Sequence, residues 1–272
     1  MYFKTGKSSK EVGFLSPEME SFVTQCRNQK QNAVWFALAE DINRSAQATL
    51  TMYQIDPGEI SGQHLFGLLL LIRSLSNFQG GLLTVERGMV VEARTLFRCC
   101  FENAFWIGAL LKDGDKFISD IMGDEAANTM SKAKWIMRDP SRLKFSGPNA
   151  PGRLQARIDE MEKEWGKVRG QKLEDAAKRG RLGDGYLYYK VLSGDAAHPS
   201  VSAMNRYVRL GRDSITGITC GPFLEEVSDS INCGCQAMIA VGVAVTEIFG
   251  DVEHNKEFAE YAKAYAALNG IS

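Results

Sequence analysis

The chain has 272 residues, enough for one large domain or two small ones and for a sizeable buried core. Its 32 basic residues stand against 33 acidic ones, so there is no global polybasic signature for nucleic acid or anionic membrane, only room for a local patch. Apolar residues at 44% and charged residues at 24% are ordinary globular values, and the opening run MYFKTGKSSKEVGFL lacks the apolar stretch of a secretory signal.

Residues 1–15 read as a polar tail ahead of a bundle spanning 16–272. Ser16-Pro17-Glu18 has the form of a helix start, with a serine cap, proline in the first turn and an acid beside it. Phe22, Cys26, Phe36, Ile42, Ala46 and Leu50 then recur at helical spacing, predicting one helix to about Tyr53. Asp56-Pro57-Gly58 is a turn. A second helix is expected over about 61–83, and Arg87-Gly88 leads into a third over 88–111.

That third helix, GMVVEARTLFRCCFENAFWIGALL, is the centre of the pattern. It is apolar on nearly every side, as a helix surrounded by others must be. Yet Arg94, Arg98 and Glu102 recur every fourth residue along one stripe. Charges in such a place persist only when paired or put to use.

A fourth helix is expected from about Asp115 to Arg138, followed by a loop rich in Gly and Pro. Residues 153–181 mix both charges and hold few large apolar side chains; together with the loop they make a charged helical insertion over about 140–185. Within it Lys163, Lys167, Arg169, Lys172, Lys178, Arg179 and Arg181 accumulate. Interleaved acids favour a solvated or two-partner helix over a basic edge.

Next comes YLYYKVLSGDAAHPSVSAMNRY, in which Tyr186 and Tyr189 share a helix face. Pro199 suits the first position of a new helix, which would set His198 at or beside its cap. There the helix dipole disfavours the imidazolium and keeps the ring able to accept a proton. Gly211-Arg212-Asp213 and Cys220-Gly221-Pro222 are breaks. Long apolar and amphipathic helices follow over about 223–249 and 255–268. With no alternating strand pattern, the reading is all-α, a single helical bundle with a charged arm.

The six cysteines lack zinc-knuckle spacing and read as reduced small hydrophobes, which points to the cytoplasm. No phosphate-binding loop, dinucleotide fingerprint, zinc-protease motif or serine-hydrolase elbow is present, and no metal or cofactor is expected. Residues 65–72 and 231–246 are apolar but too short or too interrupted for membrane spans, so they read as core helices. Surplus apolar surface on 223–249 predicts a homodimer.

If the central helix packs against the His198 corner, Arg98 and Glu102 meet Tyr189, Ser193 and His198. These five residues would form either a buried hydrogen-bonded lock or a site with His198 as base, Arg98 as electrophilic cation and Glu102 as orienting carboxylate. The pairing of ARTLFRCCFENAFWI with YLYYKVLSGDAAHPSV resembles a widespread, mainly bacterial helical family of the DUF5677 type. That family combines a buried Leu-x-Arg-x-x-x-Glu helix with a later Tyr, a Leu-Ser pair and His-Pro-Ser. Arg98 and Glu102 match its first part; Tyr189, Leu192, Ser193, His198, Pro199 and Ser200 match its second. The resemblance covers roughly residues 60–210.

In outline the family is similar to the HEPN superfamily, many of whose members are dimeric, metal-independent RNases with an Arg shortly before a His. Here Ser193-Gly-Asp-Ala-Ala precedes His198, so the arginine would come from the central helix, as Arg98 or Arg94. The resemblance implies a metal-independent RNase or a nucleic-acid-associated defence or stress protein, with RNA as partner. The alternative is a non-catalytic helical interaction or ligand-sensing module whose Arg98/Glu102/His198 cluster is structural.

Overall fold

The computed structural model describes residues 12–53, 61–143, 147, 149–166, 170–197, 200–212 and 214–271. Expectations for residues 1–11, the Asp56-Pro57-Gly58 turn, Pro148, Lys167, Arg169, His198, Pro199 and Asp213 lie outside these residues. The described chain is all-α apart from one small hairpin.

The first long helix of the sequence reading is two. Helix α1 (Met19–Asn28) and helix α2 (Lys30–Met52) meet at Gln29, whose ψ of 129° is extended. Asn32 holds the break: its Nδ2 donates to the Cys26 carbonyl at 3.0 Å and to Gln29 Oε1 at 3.2 Å. A side chain that takes a backbone acceptor in this way competes with continuing the helix.

Helix α3 (Gly62–Val85) starts at Ser61, whose Oγ accepts from the His64 N–H. Gly88, at φ 72°, turns the chain into the central helix α4 (Val90–Asp113), which ends at Gly114. Helix α5 (Asp115–Met137) follows, and then α6 (Ala150–Trp165) and the short α7 (Leu173–Arg179) make up the charged region. The expected single charged helix is therefore split, ending its first half at Gly166 with φ 64°.

Helix α6 lies against α5 through a small apolar patch of Ala126, Met130 and Met161, with Trp165 beside it. A Lys134–Glu162 pair at 2.5 Å joins the same two helices. Arg179 is held by Asp120 at 2.5 Å and Asp113 at 3.5 Å, and Lys178 by Glu174 at 2.6 Å. The Arg179 pairs draw the C-terminal end of α7 into the fold, while the exposed Lys178–Glu174 pair stays within α7.

Helix α8 (Gly185–Leu192) runs into a π-helical turn, Ser193–Ala197, and a five-residue helix α9 (Val201–Asn205). Strands β1 (Val208–Leu210) and β2 (Ile215–Ile218) pair antiparallel, Val208 opposite Ile218 and Leu210 opposite Ile215. This hairpin corrects the expectation of no strand, and Gly211 and Arg212 stand in the break between its two strands. Its strands are shorter than the run needed for alternation to stand out in sequence. Helix α10 (Val227–Phe249) and helix α11 (Val252–Leu268) complete the chain.

The core is built on α4, packed between α3 and α10 on one side and covered on another by α7, α8 and the π turn. Phe97 shows why the three long helices sit so close. A Cβ on Gly81 of α3 would fall 2.3 Å from the Phe97 ring, and one on Gly234 of α10 would fall 2.6 Å from it. The ring thus lies directly on two helix backbones, where only glycine leaves room.

Among the described residues two stretches are long and apolar enough to cross a membrane, Gly62–Val85 and Leu224–Phe249. Both pack in the core, with Leu68, Leu71, Leu75, Ile231, Met238 and Val245 buried. The apolar surface of α10 that suggested a homodimer is consumed by α2, α3, α4 and α11. Cys26, Cys100 and Cys235 are buried free thiols. Burial pushes Cys233 up to about 11, and Cys100 and Cys235 higher still.

Candidate functional site

Every fourth residue along α4 returns to the same stripe, so Arg94, Arg98 and Glu102 face the elements that cover it from 185 onward. Arg98 Nη1 bonds Glu102 Oε1 one turn away, and its guanidinium lies 5.6 Å from the centre of the Tyr189 ring. The same Nη1 stands 3.4 Å from the Tyr189 hydroxyl. Tyr189 is itself seated by a stacked contact with Tyr186 and an edge contact with Phe105. Burial pulls the Arg98 guanidinium down, but Glu102 and then Cys99 and Tyr189 outweigh it and hold it above its ordinary value. Three of the five expected site residues therefore meet.

Ser193 takes no part in that contact. Its Oγ is buried without a hydrogen-bond partner among the described residues, so of the expected contacts of the Arg98–Glu102 pair with Ser193 or His198 the first is not made and the second lies outside the described residues. Asp195, two residues on, carries the link instead. It receives Arg94 at 2.5 Å and Arg206 at 2.7 Å on each of its oxygens. Glu226 receives the same two arginines, at 2.8 Å from Arg94 and 3.1 Å from Arg206. Arg94 Nε also donates to Ser230 Oγ at 3.0 Å, and that hydroxyl donates to the Glu226 carbonyl at 2.7 Å. Thr95 adds a weaker tie to the Ala196 carbonyl, at 3.4 Å.

The result is two guanidiniums and two carboxylates clamping the π turn, α9 and the start of α10 onto α4. Sequence reading missed Arg206, Glu226 and Ser230. Glu226, with Glu225 before an apolar helix, looks like ordinary N-terminal acid, and Arg206 follows a short helix with no pattern of its own. Only the tertiary fold brings positions 94, 195, 206 and 226 together.

His198 lies outside the described residues, and the helix that follows is not capped by it. Ser200 is the cap, its Oγ accepting from the Ala203 N–H at 3.0 Å. The expected helix start at Pro199 is thereby corrected, since α9 begins at Val201 behind a Ser200 cap. The other histidines are structural. His64 Nδ1 is 2.6 Å from Ser61 Oγ, and His254 Nδ1 is 2.8 Å from Asp251 Oδ2. Among the described residues no group of three or more His, Cys, Asp or Glu is arranged to hold a metal ion.

Beside the Arg98–Glu102 pair a cleft of about 440 Å³ opens between α3, α4, α8 and the chain entering α7. Trp106 and Tyr189 give it aromatic walls, Leu70 and Leu173 aliphatic ones, and Arg73, Glu102, Asn103 and Gln171 its polar groups.

Fold and site together define an all-helical protein whose central helix carries a self-neutralising cluster of charges next to an open cleft. The chain belongs to the Family of unknown function (DUF5677), whose model matches residues 64–215. The matched span holds Arg94, Arg98, Glu102, Tyr189, Asp195 and Arg206; Glu226 and Ser230 fall outside it. No curated protein and no solved structure matches the chain.

Proposed function

We propose that this protein is a non-catalytic helical ligand-sensing module, and that its buried charges act as a clamp rather than as reaction machinery. One observation carries the reading: each charge of the cluster is met by an opposite charge within it. Arg94 and Arg206 face Asp195 and Glu226, and Arg98 faces Glu102. A guanidinium that is to steady a phosphate needs a free edge toward solvent, whereas here the N–H groups of Arg98 and Arg206 that lack a partner among the described residues are buried. The clamp instead fixes the register of the turn and α9 on α4, a role well suited to buried ionic groups.

The nuclease reading, with its analogy to the HEPN superfamily and RNA as substrate, is supported by a different observation. Arg98 Nε, Arg206 Nε and Arg206 Nη1 have no hydrogen-bond partner among the described residues. Those donors would have to turn outward to serve a phosphate, with His198 as base. Incubating purified protein with RNA in the presence of a chelator decides between the two. The module reading expects intact RNA and unchanged growth on overexpression, for both the wild type and His198→Ala. Cleavage lost in His198→Ala, with folding retained, would establish the nuclease. A homodimer stays within the proposal as an assembly to be weighed by light scattering, now without α10 as its contact.

A further inference from the structure

We propose that the cleft beside the Arg98–Glu102 pair binds a small planar anion, a flat ring system carrying one phosphate or carboxylate. The inference rests on the module reading in one respect: Glu102 must stay paired with Arg98, since a free carboxylate in the wall would repel an anion.

Three features of the cleft select this chemistry. Arg73 lines it from the exposed side of α3 and has no ion-pair partner among the described residues. A cation free at the mouth of a cleft is suited to a phosphate or carboxylate, which a guanidinium can grip with two N–H groups. Asn103 lines the same cleft from α4 and is only 5% exposed, yet its Nδ2 has no hydrogen-bond partner among the described residues. A buried amide left unbonded is costly, so an acceptor on the ligand, a carbonyl or ring nitrogen, would relieve it. Between them stand the rings of Trp106 and Tyr189 and the side chains of Leu70 and Leu173, which favour a flat apolar body. The Tyr189 hydroxyl already accepts from Arg98, so its own proton remains to donate. The volume, about 440 Å³, falls in the range of small-ligand sites.

Titration calorimetry on the full chain tests this with two sets of probes. AMP and UMP represent the phosphates, benzoate and naphthoate the carboxylates, and adenosine is the uncharged control. The expectation is binding by at least one anionic set with Kd below about 1 mM, weaker by about tenfold or more in Arg73→Ala and in Asn103→Leu. Adenosine should bind worse than AMP if the phosphate set is the one that binds. Binding by one set alone assigns the anion. No binding by either set, or binding unchanged in Arg73→Ala, overturns the proposal. Should Asn103→Leu fail to fold, Arg73→Ala still decides, because Arg73 sits on an exposed helix face. An empty cleft would leave the clamp reading standing, since that one is judged by RNA integrity. RNA cleavage by His198 would refute the clamp while leaving probe binding measurable.

Discussion

Arg206 and Glu102 are both paired charges, but their surroundings differ enough to separate their energetics. The Arg206 side chain is 9% exposed and bridges Asp195 and Glu226, whereas Glu102 is 29% exposed and faces a cleft. Removing one partner of a buried pair leaves the other charge stranded, which costs about 3–5 kcal/mol. Arg206→Ala should therefore destabilise by about that much, and Glu102→Ala by a smaller amount, about 1–3 kcal/mol. Equilibrium denaturation of the two variants checks the order; equal losses would mean that the clamp is no more buried than the cleft wall. A second residue gives a pH signature. Burial raises the Asp251 carboxyl, but the backbone N–H of His254, the Tyr53 hydroxyl and the His254 ring outweigh it and leave it below its ordinary value. A carboxyl depressed in the folded state contributes stability above its unfolded value near about 4, and loses it as pH falls through the folded value. Hence the Tm gap between wild type and Asp251→Asn should be full above about pH 4 and shrink below it. A gap that stays constant from neutral to acid pH would show that the Asp251 charge does not matter.

At the scale of elements, the three-helix contact of α3, α4 and α10 turns on glycine. Gly234→Ala would drive a methyl to within 2.6 Å of the Phe97 ring, and a Cβ on Gly81 would fall closer still to the same ring. Overpacking of this kind costs about 1–3 kcal/mol, and the expected outcome is a lowered denaturation midpoint that the double change Gly234→Ala with Phe97→Leu partly restores. If the single variant is as stable as the wild type, the helices have more freedom to part than this packing allows. The break at Gln29 belongs to the same scale, for there one asparagine side chain decides between one helix and two.

Across the molecule, burial is uneven. The fully buried residues concentrate on α4, α10 and the inner face of α3, while α6 packs mainly on α5, with Ala150, Ile158 and Met161 buried and an exposed ion pair between the two helices. Local opening is easiest where buried apolar contact is least. Hydrogen exchange should accordingly be slowest in α4 and α10, and markedly faster in α6 and in the β1–β2 hairpin. Protection of α6 equal to that of α4 would mean that the charged region is an integral part of the core.

Much of this architecture was legible in the residues. The near-continuous apolar surface of 88–111 required a helix enclosed by others, and the fourfold spacing of Arg94, Arg98 and Glu102 required their pairing, because both follow from helical periodicity and the cost of unpaired charge. Tyr189 was legible for a related reason, as a polar-tipped ring in the apolar setting expected to face that stripe. What sequence could not decide was which carboxylate answers which arginine. The choice of Asp195 over Ser193, the recruitment of Arg206 and Glu226, the cap at Ser200 and the unbonded amide of Asn103 all depend on how separately formed helices dock. Periodicity orients a side chain about its own helix axis. Only packing between helices sets what stands opposite it.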